Sequence, residues 1–481
     1  MASSSLSVTE IKKRVLSSFI SLTARQVALR AFGFVSINII LAKILPVETL
    51  GIFNIATAII TFFAFFSDIG LAASLIQKKE GVSKEDIRTT FTIQQLIALG
   101  LSLVMIIGAP YFGDFYNLNE DGVWLIRILG LSFFLTSLKV LPSVILEREI
   151  RFGPLVTVEV VETLIYNGLL IYLSFQGFGI WAFSSAALAK GIVGVILIYL
   201  IAPVKIGIGI DKKSAKELLS FGIPFQLNNI LALIKDRLVP LVIARMVGPL
   251  GIGYITWSQA LAYLPLDIMQ VVIRITFPAF SRLQHDRTAL SRAVEKSLFA
   301  TAITVYPALF GLGAILPSMV TYVVSEKWQS AVPSFYLFAV SAYWAVISTT
   351  FTNTLNAIGK IKITLKLMVF WTIATWILTP ILVFQMGFLG VSVAAFIISF
   401  SSIITVIILK RILTVKILDA VILPTIASAG MGILVYFLST YFVRDWLSLG
   451  FVITLGGFVY VLIILLFGWD RVLKDLKTIR G

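Results

Sequence analysis

The feature that most constrains this chain is a series of apolar stretches of about 20 residues or more, separated by short polar connections. A helix of that length crosses a hydrocarbon core of roughly 30 Å. With a mean hydropathy of +0.99 and only 13% charged residues, little of the chain is left to fold in water. We therefore predict an all-α polytopic membrane protein with fourteen transmembrane helices. The predicted spans are 16–42, 48–76, 90–112, 122–146, 154–175, 179–202, 217–243, 250–279, 297–324, 330–357, 363–385, 388–410, 418–440 and 448–468.

The basic residues predict how the chain is oriented in the membrane. Lysine and arginine in short loops resist translocation and mark the cytoplasmic side. Most of the 39 lysines and arginines fall in alternate loops and in the two terminal segments. The opposite loops hold only Lys43, Arg245, Lys327 and Arg444. We therefore expect both termini to be cytoplasmic, in agreement with an even number of spans.

A weak internal repeat predicts two lobes. Residues 41–52 (LAKILPVETLGI) align without gaps to residues 243–254 (IARMVGPLGIGY), with Lys43 opposite Arg245. Parallel repeats of this kind are common in transporters. We expect two six-helix lobes related by a pseudo-two-fold axis, followed by two C-terminal helices. The predicted divisions are 1–202 for the first lobe, 203–216 for a cytoplasmic linker, 217–410 for the second lobe, and 411–481 for the last two spans and the cytoplasmic tail.

Several kinds of chemistry are excluded by residues that the sequence lacks. There is no cysteine, and the only histidine is His285 in a charged loop, so thiolate and multi-imidazole metal sites are ruled out. No phosphate-binding loop motif or nucleophile elbow occurs. The net charge of +15 follows from the loop lysines and arginines and does not indicate a nucleic-acid partner. We expect no catalytic residue, metal or cofactor.

Ionisable residues inside the predicted spans are the strongest functional signal. Each costs a few kcal/mol in the bilayer unless it is paired or hydrated. The cations in the spans are Arg25, Arg30, Arg127, Lys139, Lys190, Lys235, Arg237 and Arg274, and the anions are Asp68, Glu159, Glu162, Asp236 and Asp267. The excess of cations predicts a hydrated cavity that receives an anion, although structural pairing also explains individual residues.

Depth and spacing divide these residues into two candidate groups. Arg25 and Arg30 lie roughly 14 and 21 Å from the cytoplasmic end of the first span at 1.5 Å per residue, near the midplane. The predicted cavity residues are Arg25, Gln26, Arg30, Lys190, Lys235 and Arg237. The predicted gate or ion-coupling residues are Asp68, Lys139, Glu159, Glu162, Asp267 and Arg274. The carboxylates of the second group are candidates for binding H⁺ or Na⁺ as a coupling ion.

Three segments resemble a known family. They are residues 141–155 (LPSVILEREIRFGPL), 177–183 (GFGIWAF) and 355–360 (LNAIGK). Together with the span count and the repeat, they are similar to the polysaccharide transporter family of the multidrug/oligosaccharidyl-lipid/polysaccharide (MOP) exporter superfamily, in particular to its O-antigen and lipopolysaccharide flippases. No residue list of that family carries over to this sequence, so the candidate residues depend on charge and depth alone.

The resemblance implies a function and a location. It implies a flippase in the bacterial inner membrane that moves undecaprenyl-diphosphate-linked oligosaccharide from the inner to the outer leaflet by alternating access, with a central cationic cavity. Membrane lipids and a polysaccharide polymerase are the implied partners, and the oligomeric state stays open. One alternative is a multidrug exporter, which the excess of buried cations disfavours. Another is a membrane enzyme or assembly component of polysaccharide synthesis; short outer loops argue against the enzyme.

Overall fold

The computed structural model describes residues 28–78, 81–149, 151–204, 207–228 and 238–480. This part of the chain is helical throughout, without a β-strand. A π-helical turn, Ser36–Leu41, and a short helix, Ala42–Ile44, precede the helices named here. The helices are α1 (Val47–Ala64), α2 (Leu71–Gln77), α3 (Lys84–Tyr116), α4 (Glu120–Ser137), α5 (Val140–Arg148), α6 (Phe152–Phe175), α7 (Ile180–Ile201), α8 (Lys212–Asn228), α9 (Val239–Tyr263), α10 (Asp267–Arg282), α11 (Arg287–Ser318), α12 (Val332–Ala357), α13 (Ile361–Met386), α14 (Leu389–Ser399), α15 (Ser402–Lys410), α16 (Ile417–Phe442) and α17 (Trp446–Arg480).

Twelve helical segments in the described part are long and apolar enough to cross a membrane. The protein is therefore a multi-pass, all-helical membrane protein, as its hydropathy predicts. Each of the twelve corresponds to a predicted span. The two remaining predictions, 16–42 and 217–243, fall partly outside the described residues. The total of fourteen spans therefore stays a prediction.

The chain divides into two compact units, Met1–Pro249 and Leu250–Gly481. The division lies in α9, next to Gly248, whose φ of 68° interrupts the helix. Glycine adopts this left-handed conformation without the penalty that a Cβ imposes. The finer lobe boundaries drawn from the sequence remain predictions.

In the first unit, the predicted span 48–76 is interrupted. Helix α1 ends at Ala64 and α2 begins at Leu71, with Ile69 at φ 46° and Gly70 at φ 75° between them. The interruption is where α8 crosses, because a Cβ on Gly222 would lie 2.7 Å from the carbonyl oxygen of Ile69. The Ser74 hydroxyl donates to the carbonyl oxygen of Leu218 at 2.7 Å and joins α2 to α8.

Helix α2 is also held at its C-terminal end. The guanidinium of Arg148, the last residue of α5, donates to the carbonyl oxygens of Leu75, of Ile76 at 3.1 Å and of Lys78 at 2.8 Å. The last carbonyls of a helix have no partner within it, and a cation is favourable there. Arg148 therefore caps α2 and fixes it to α5.

The linker ahead of α8 is bonded to α3. The backbone N–H groups of Gly209 and Asp211 donate to the hydroxyls of Thr92 and Thr89, each at 2.9 Å. The Asp211 carboxylate then accepts from the N–H of Ser214 at 2.8 Å, and hydrogen bonds from the Ser214 backbone and hydroxyl lower the pKa of Asp211. This is the N-cap arrangement that starts a helix, and α8 begins at Lys212, inside the segment 203–216 that the sequence predicts to be a linker.

The second unit is built around an apolar core between α10, α11, α12, α15 and α16. Its fully buried members include Val305, Phe351 and Leu409. Tyr306 and Tyr343 stack with ring centroids 4.3 Å apart and join α11 to α12. The Tyr460 hydroxyl donates to the carbonyl oxygen of Ile303 at 2.8 Å, which attaches α17 to α11.

Candidate functional site

The packing of α6 against α7 brings the main charged residues of the first unit together. Glycine at position 194 leaves room for the Glu162 carboxylate, because a Cβ there would overlap its Oε1 atom. A second contact lies one turn away, four residues after Glu162 on α6 and four residues before Gly194 on α7. There, the Lys190 ammonium lies 5.6 Å from the centre of the Tyr166 ring. Residues four apart share a helix face, so the two helices run antiparallel with Glu162 opposite Gly194 and Tyr166 opposite Lys190.

This contact contains an ion pair whose two charges cancel. The Lys139 ammonium, at the turn between α4 and α5, forms an ion pair with Glu162 Oε1. The two side chains are 20% and 5% exposed. A carboxylate buried this deeply requires a cation or several donors. Lys139 and Glu162, both predicted gate residues, are therefore brought together, and each compensates the other's charge.

Lys190, in contrast, forms no ion pair with a described residue. No carboxylate oxygen of a described residue lies within 4.0 Å of its ammonium, and its side chain is exposed in the isolated protein. Its contact is the face of Tyr166, which attracts a cation but does not neutralise it. The geometry leaves this ammonium available to an anion.

A second predicted cavity residue lies at a similar depth. Residues 28–35 are helical and precede the π-helical turn; they pass α6 at Gly33, where a Cβ would be 4.0 Å from the Asn167 amide nitrogen. Asn167 follows Tyr166, which Lys190 contacts. Arg30 is three residues before Gly33, roughly 4.5 Å along the helix axis, and it is exposed. Arg30 and Lys190 therefore belong to one layer of the first unit.

The remaining predicted residues are placed as follows. Glu159 is exposed on α6, and Asp68 accepts hydrogen bonds from Ala72 and Gln94. In the second unit, Asp267 and Arg274 on α10 are exposed, and no ion pair joins either one to another described residue. Arg25, Gln26, Lys235 and Arg237 lie outside the described residues. The roles of all these residues stay predictions.

Two residues of the site escape prediction from the sequence. Tyr166 is significant only because the α6–α7 register sets it against Lys190, and Gln94 only because the interruption of the second span turns Asp68 towards α3. The sequence did contain one signal for Tyr166. It lies four residues after Glu162, on the same face of a helix already singled out by its charges. Nothing in the pattern distinguishes Gln94 from its neighbour Gln95.

The second unit holds a cavity of a different character. It encloses about 750 Å³ between α11, α12 and α16. Its lining contains no charged residue and is rich in aromatic side chains, including Phe310, Phe335, Tyr336, Trp344 and Tyr436. A cavity with such walls suits hydrocarbon and provides no positive charge for a diphosphate.

Sequence comparison finds relatives that act in polysaccharide biosynthesis. The chain is 24% identical over 337 residues to the lipopolysaccharide biosynthesis protein WzxC of Escherichia coli, covering 69% of this chain and 68% of WzxC. It is 24% identical to the teichuronic acid biosynthesis protein TuaB of Bacillus subtilis, over 61% of each chain. It is 25% identical to the succinoglycan biosynthesis transport protein ExoT of Rhizobium meliloti, over 68% of this chain and 67% of ExoT.

Two solved structures have a similar fold. The lipid II flippase MurJ, in an inward closed conformation, superposes with a TM-score of 0.74 at 16% identity, over 94% of this chain and all of MurJ. An inward-facing multidrug resistance transporter of the MATE family, itself of the MOP superfamily, superposes with a TM-score of 0.60 at 17% identity, over 80% of this chain and 94% of the transporter. Both are transporters, and at these identities the likeness is one of fold.

A sequence model of one family decides membership. The model described as "Polysaccharide biosynthesis protein" matches residues 40–333, more than half of the chain. The resemblance seen in residues 141–155 and 177–183 is thereby confirmed. The chain belongs to the polysaccharide biosynthesis protein family.

Proposed function

We propose that this protein is a flippase for undecaprenyl-diphosphate-linked oligosaccharide repeat units. It moves them from the inner to the outer leaflet for the synthesis of a surface polysaccharide, such as lipopolysaccharide, capsule or exopolysaccharide. Alternating access moves the cargo without covalent chemistry, so the protein is no enzyme. The names of its relatives, which include lipopolysaccharide, teichuronic acid and succinoglycan biosynthesis proteins, support this class of cargo.

The observation that carries the proposal is the ammonium of Lys190, which forms no ion pair with any described residue. A positive charge inside a bilayer protein is costly unless it is hydrated or meets an anion. The carboxylate that lies closest in the register, Glu162, is already occupied by Lys139. Arg30 adds a second cation in the same layer, and a guanidinium binds phosphate oxygens through two parallel hydrogen bonds. A lipid diphosphate supplies the negative charge that this layer lacks.

The other predicted residues enter the proposal in two roles. Arg25, Gln26, Lys235 and Arg237 complete the cavity that holds the diphosphate and sugar. Asp68, Glu159, Asp267 and Arg274, with the Lys139–Glu162 pair, form the gate or the ion-coupling part. The driving force is an H⁺ or Na⁺ gradient, or consumption of the product by a polysaccharide polymerase outside. We place the protein in the bacterial inner membrane with both termini in the cytoplasm.

Reconstitution tests this function directly. The purified protein is placed in liposomes that contain a fluorescent polyprenyl-diphosphate sugar, and an impermeant quencher reports how much cargo reaches the other leaflet. We expect transfer of the diphosphate lipid and none of a neutral polyprenyl glycoside of the same chain length. Efflux of cationic drugs without lipid transfer identifies a multidrug exporter instead. Absence of any transfer, with or without an ion gradient, contradicts the proposal.

A further inference from the structure

The interruption of the second span contains a carboxylate without a basic partner. Asp68 lies between the end of α1 at Ala64 and the start of α2 at Leu71. Its Oδ1 atom accepts from the N–H of Ala72 at 2.9 Å and from the amide nitrogen of Gln94 at 2.5 Å. Among the residues that the structure describes, no lysine or arginine nitrogen lies within 4.0 Å of it. A partly buried carboxylate at membrane depth has an unbalanced charge in this arrangement.

The opposing face of α3 adds oxygen atoms that also lack partners. Gln94 is 4% exposed, and its Oε1 atom accepts no hydrogen bond. One turn closer to the cytoplasm on the same face, Thr90 is fully buried and its hydroxyl is unpartnered. A buried acceptor without a donor costs about 1–3 kcal/mol. Because the Gln94 amide contacts Asp68, its bare oxygen lies next to the unpaired carboxylate, and oxygen ligands of this kind are what hard cations prefer.

Helix capping accounts for only part of this arrangement. The bond from Ala72 to Asp68 stabilises the start of α2, as an aspartate before a helix commonly does. That role uses Oδ1 and leaves unexplained why Gln94 and Thr90 present bare oxygens in a buried place. A bound cation explains the bare oxygen of Gln94, because sodium takes carboxylate and amide oxygens as ligands. A proton on Asp68 lets its O–H donate to Gln94 Oε1 once the amide has turned over.

Several charged groups on the neighbouring helices are engaged elsewhere. On α3, Asp86 forms an ion pair with Lys78 at 2.9 Å, and Lys78 also contacts Glu217 of α8 at 3.2 Å. On α5, the Arg148 guanidinium binds the carbonyls at the end of α2. Lys139 is paired with Glu162. These groups lie towards the helix ends or face other partners, so Asp68 remains the site for an incoming charge.

We propose that Asp68 and Gln94 bind a monovalent cation, either sodium or a proton, at the interruption of the second span. The cation neutralises the carboxylate and satisfies the bare amide oxygen of Gln94. Its release restores a negative charge between α1 and α2, where the chain already departs from helical geometry at Ile69 and Gly70. That this cation drives lipid transfer rests on the proposed function; the binding itself does not.

Binding is measured on the purified full-length protein in detergent without any lipid cargo. One arm follows radioactive sodium, and the other follows the carboxylic acid C=O band of Asp68 by infrared difference spectroscopy between acidic and alkaline pH. Asp68→Asn is the test variant, because an asparagine keeps the bond to Gln94 after a rotation of either amide. Gln94→Met removes the amide oxygen at similar volume. Asp114→Asn is the matched control. Asp114 is an exposed aspartate near the C-terminal end of α3, the helix that also contains Gln94.

We expect the wild type and Asp114→Asn to give one of the two signals, and Asp68→Asn to lose it. Gln94→Met weakens the binding about tenfold or more, equivalent to about 1.4 kcal/mol. Sodium uptake identifies sodium as the ligand, and a titrating C=O band without sodium uptake identifies the proton. The proposal is overturned if the wild type gives neither signal or if Asp68→Asn keeps the wild-type signal. Because no cargo is present, either failure leaves the flippase function itself untouched.

Discussion

At the scale of single residues, the molecule separates a satisfied charge from an unsatisfied one. Lys139 and Glu162 form a buried ion pair, while Lys190, one helical turn away from Gly194, contacts the Tyr166 ring and forms no ion pair with a described residue. The Lys139–Glu162 ion pair stabilises the fold, whereas the Lys190 ammonium is accessible to a ligand. The sequence identified all three charged residues, but it did not tell paired from unpaired, because that depends on the register between α6 and α7.

The paired charge makes a prediction about stability. Glu162→Gln leaves the Lys139 ammonium largely buried without a counter-charge, and such a loss costs about 3–5 kcal/mol. We expect a clear fall in the midpoint of thermal unfolding in detergent. The double variant Glu162→Gln with Lys139→Met removes the orphaned charge and recovers most of the loss. If the double variant is as unstable as the single one, the ion pair is not what holds this contact.

At the scale of helices, the second predicted span, 48–76, is not the continuous helix that its hydropathy indicates. Its apolar residues run on through Phe62, Phe63, Phe65 and Phe66, so hydropathy shows one continuous span. The interruption arises from a tertiary contact, the crossing of α8 at Gly222. Ser74 and its partner Leu218 are 144 residues apart in the chain. Local sequence patterns carry no information about a contact between helices so far apart.

That crossing gives the second prediction. Gly222→Ala places a methyl group 2.7 Å from the carbonyl oxygen of Ile69, a backbone atom that cannot turn aside. Overpacking of this kind costs about 1–3 kcal/mol, so we expect a lower unfolding midpoint. Gly81→Ala is the control, because nothing lies within 4 Å of its added Cβ. Equal stability of the two variants would mean that α8 does not press on the interruption.

The cap on α2 gives the third prediction. Arg148→Ala removes hydrogen bonds from a charged donor to the last carbonyls of α2 and leaves those carbonyls unpartnered, which costs roughly 2 kcal/mol. Arg151→Ala is the matched control. Its ion pair with Glu149 is exposed on both sides, at 57% and 49%, and such pairs contribute about 0–1 kcal/mol. Unfolding midpoints in detergent compare the two, and an Arg151→Ala variant as unstable as Arg148→Ala contradicts the capping role.

At the scale of the whole molecule, the membrane-spanning character follows from composition alone. Twelve of the predicted spans have a helical counterpart in the described part of the chain. The excess of cations was also visible from the sequence, since it needs only the spans and a count of charges. The position of the division between the two compact units, next to Gly248, was not, because it depends on which helices pack together rather than on where polar linkers fall.

The orientation in the membrane is a prediction that cysteine labelling tests. The chain contains no cysteine, so single substitutions give no background. In right-side-out membrane vesicles, an impermeant maleimide should label Asp121→Cys at once and Lys362→Cys only after permeabilisation. Both side chains are exposed in the structure, so accessibility within the protein does not limit the reaction. The reverse pattern would place the termini outside and contradict the positive-inside assignment.

The most direct measurement of the central claim compares one lysine with another in leaflet transfer. Lys190→Gln and Lys84→Gln each remove one positive charge from the first unit, but Lys84 is exposed at the start of α3, away from the α6–α7 contact. Both variants are reconstituted and scored for movement of a fluorescent polyprenyl-diphosphate sugar. We predict that Lys84→Gln transfers at the wild-type rate and that Lys190→Gln loses at least about tenfold, since a charge-assisted bond to phosphate is worth about 1.5–3 kcal/mol. Transfer by Lys190→Gln at the full wild-type rate would contradict the account.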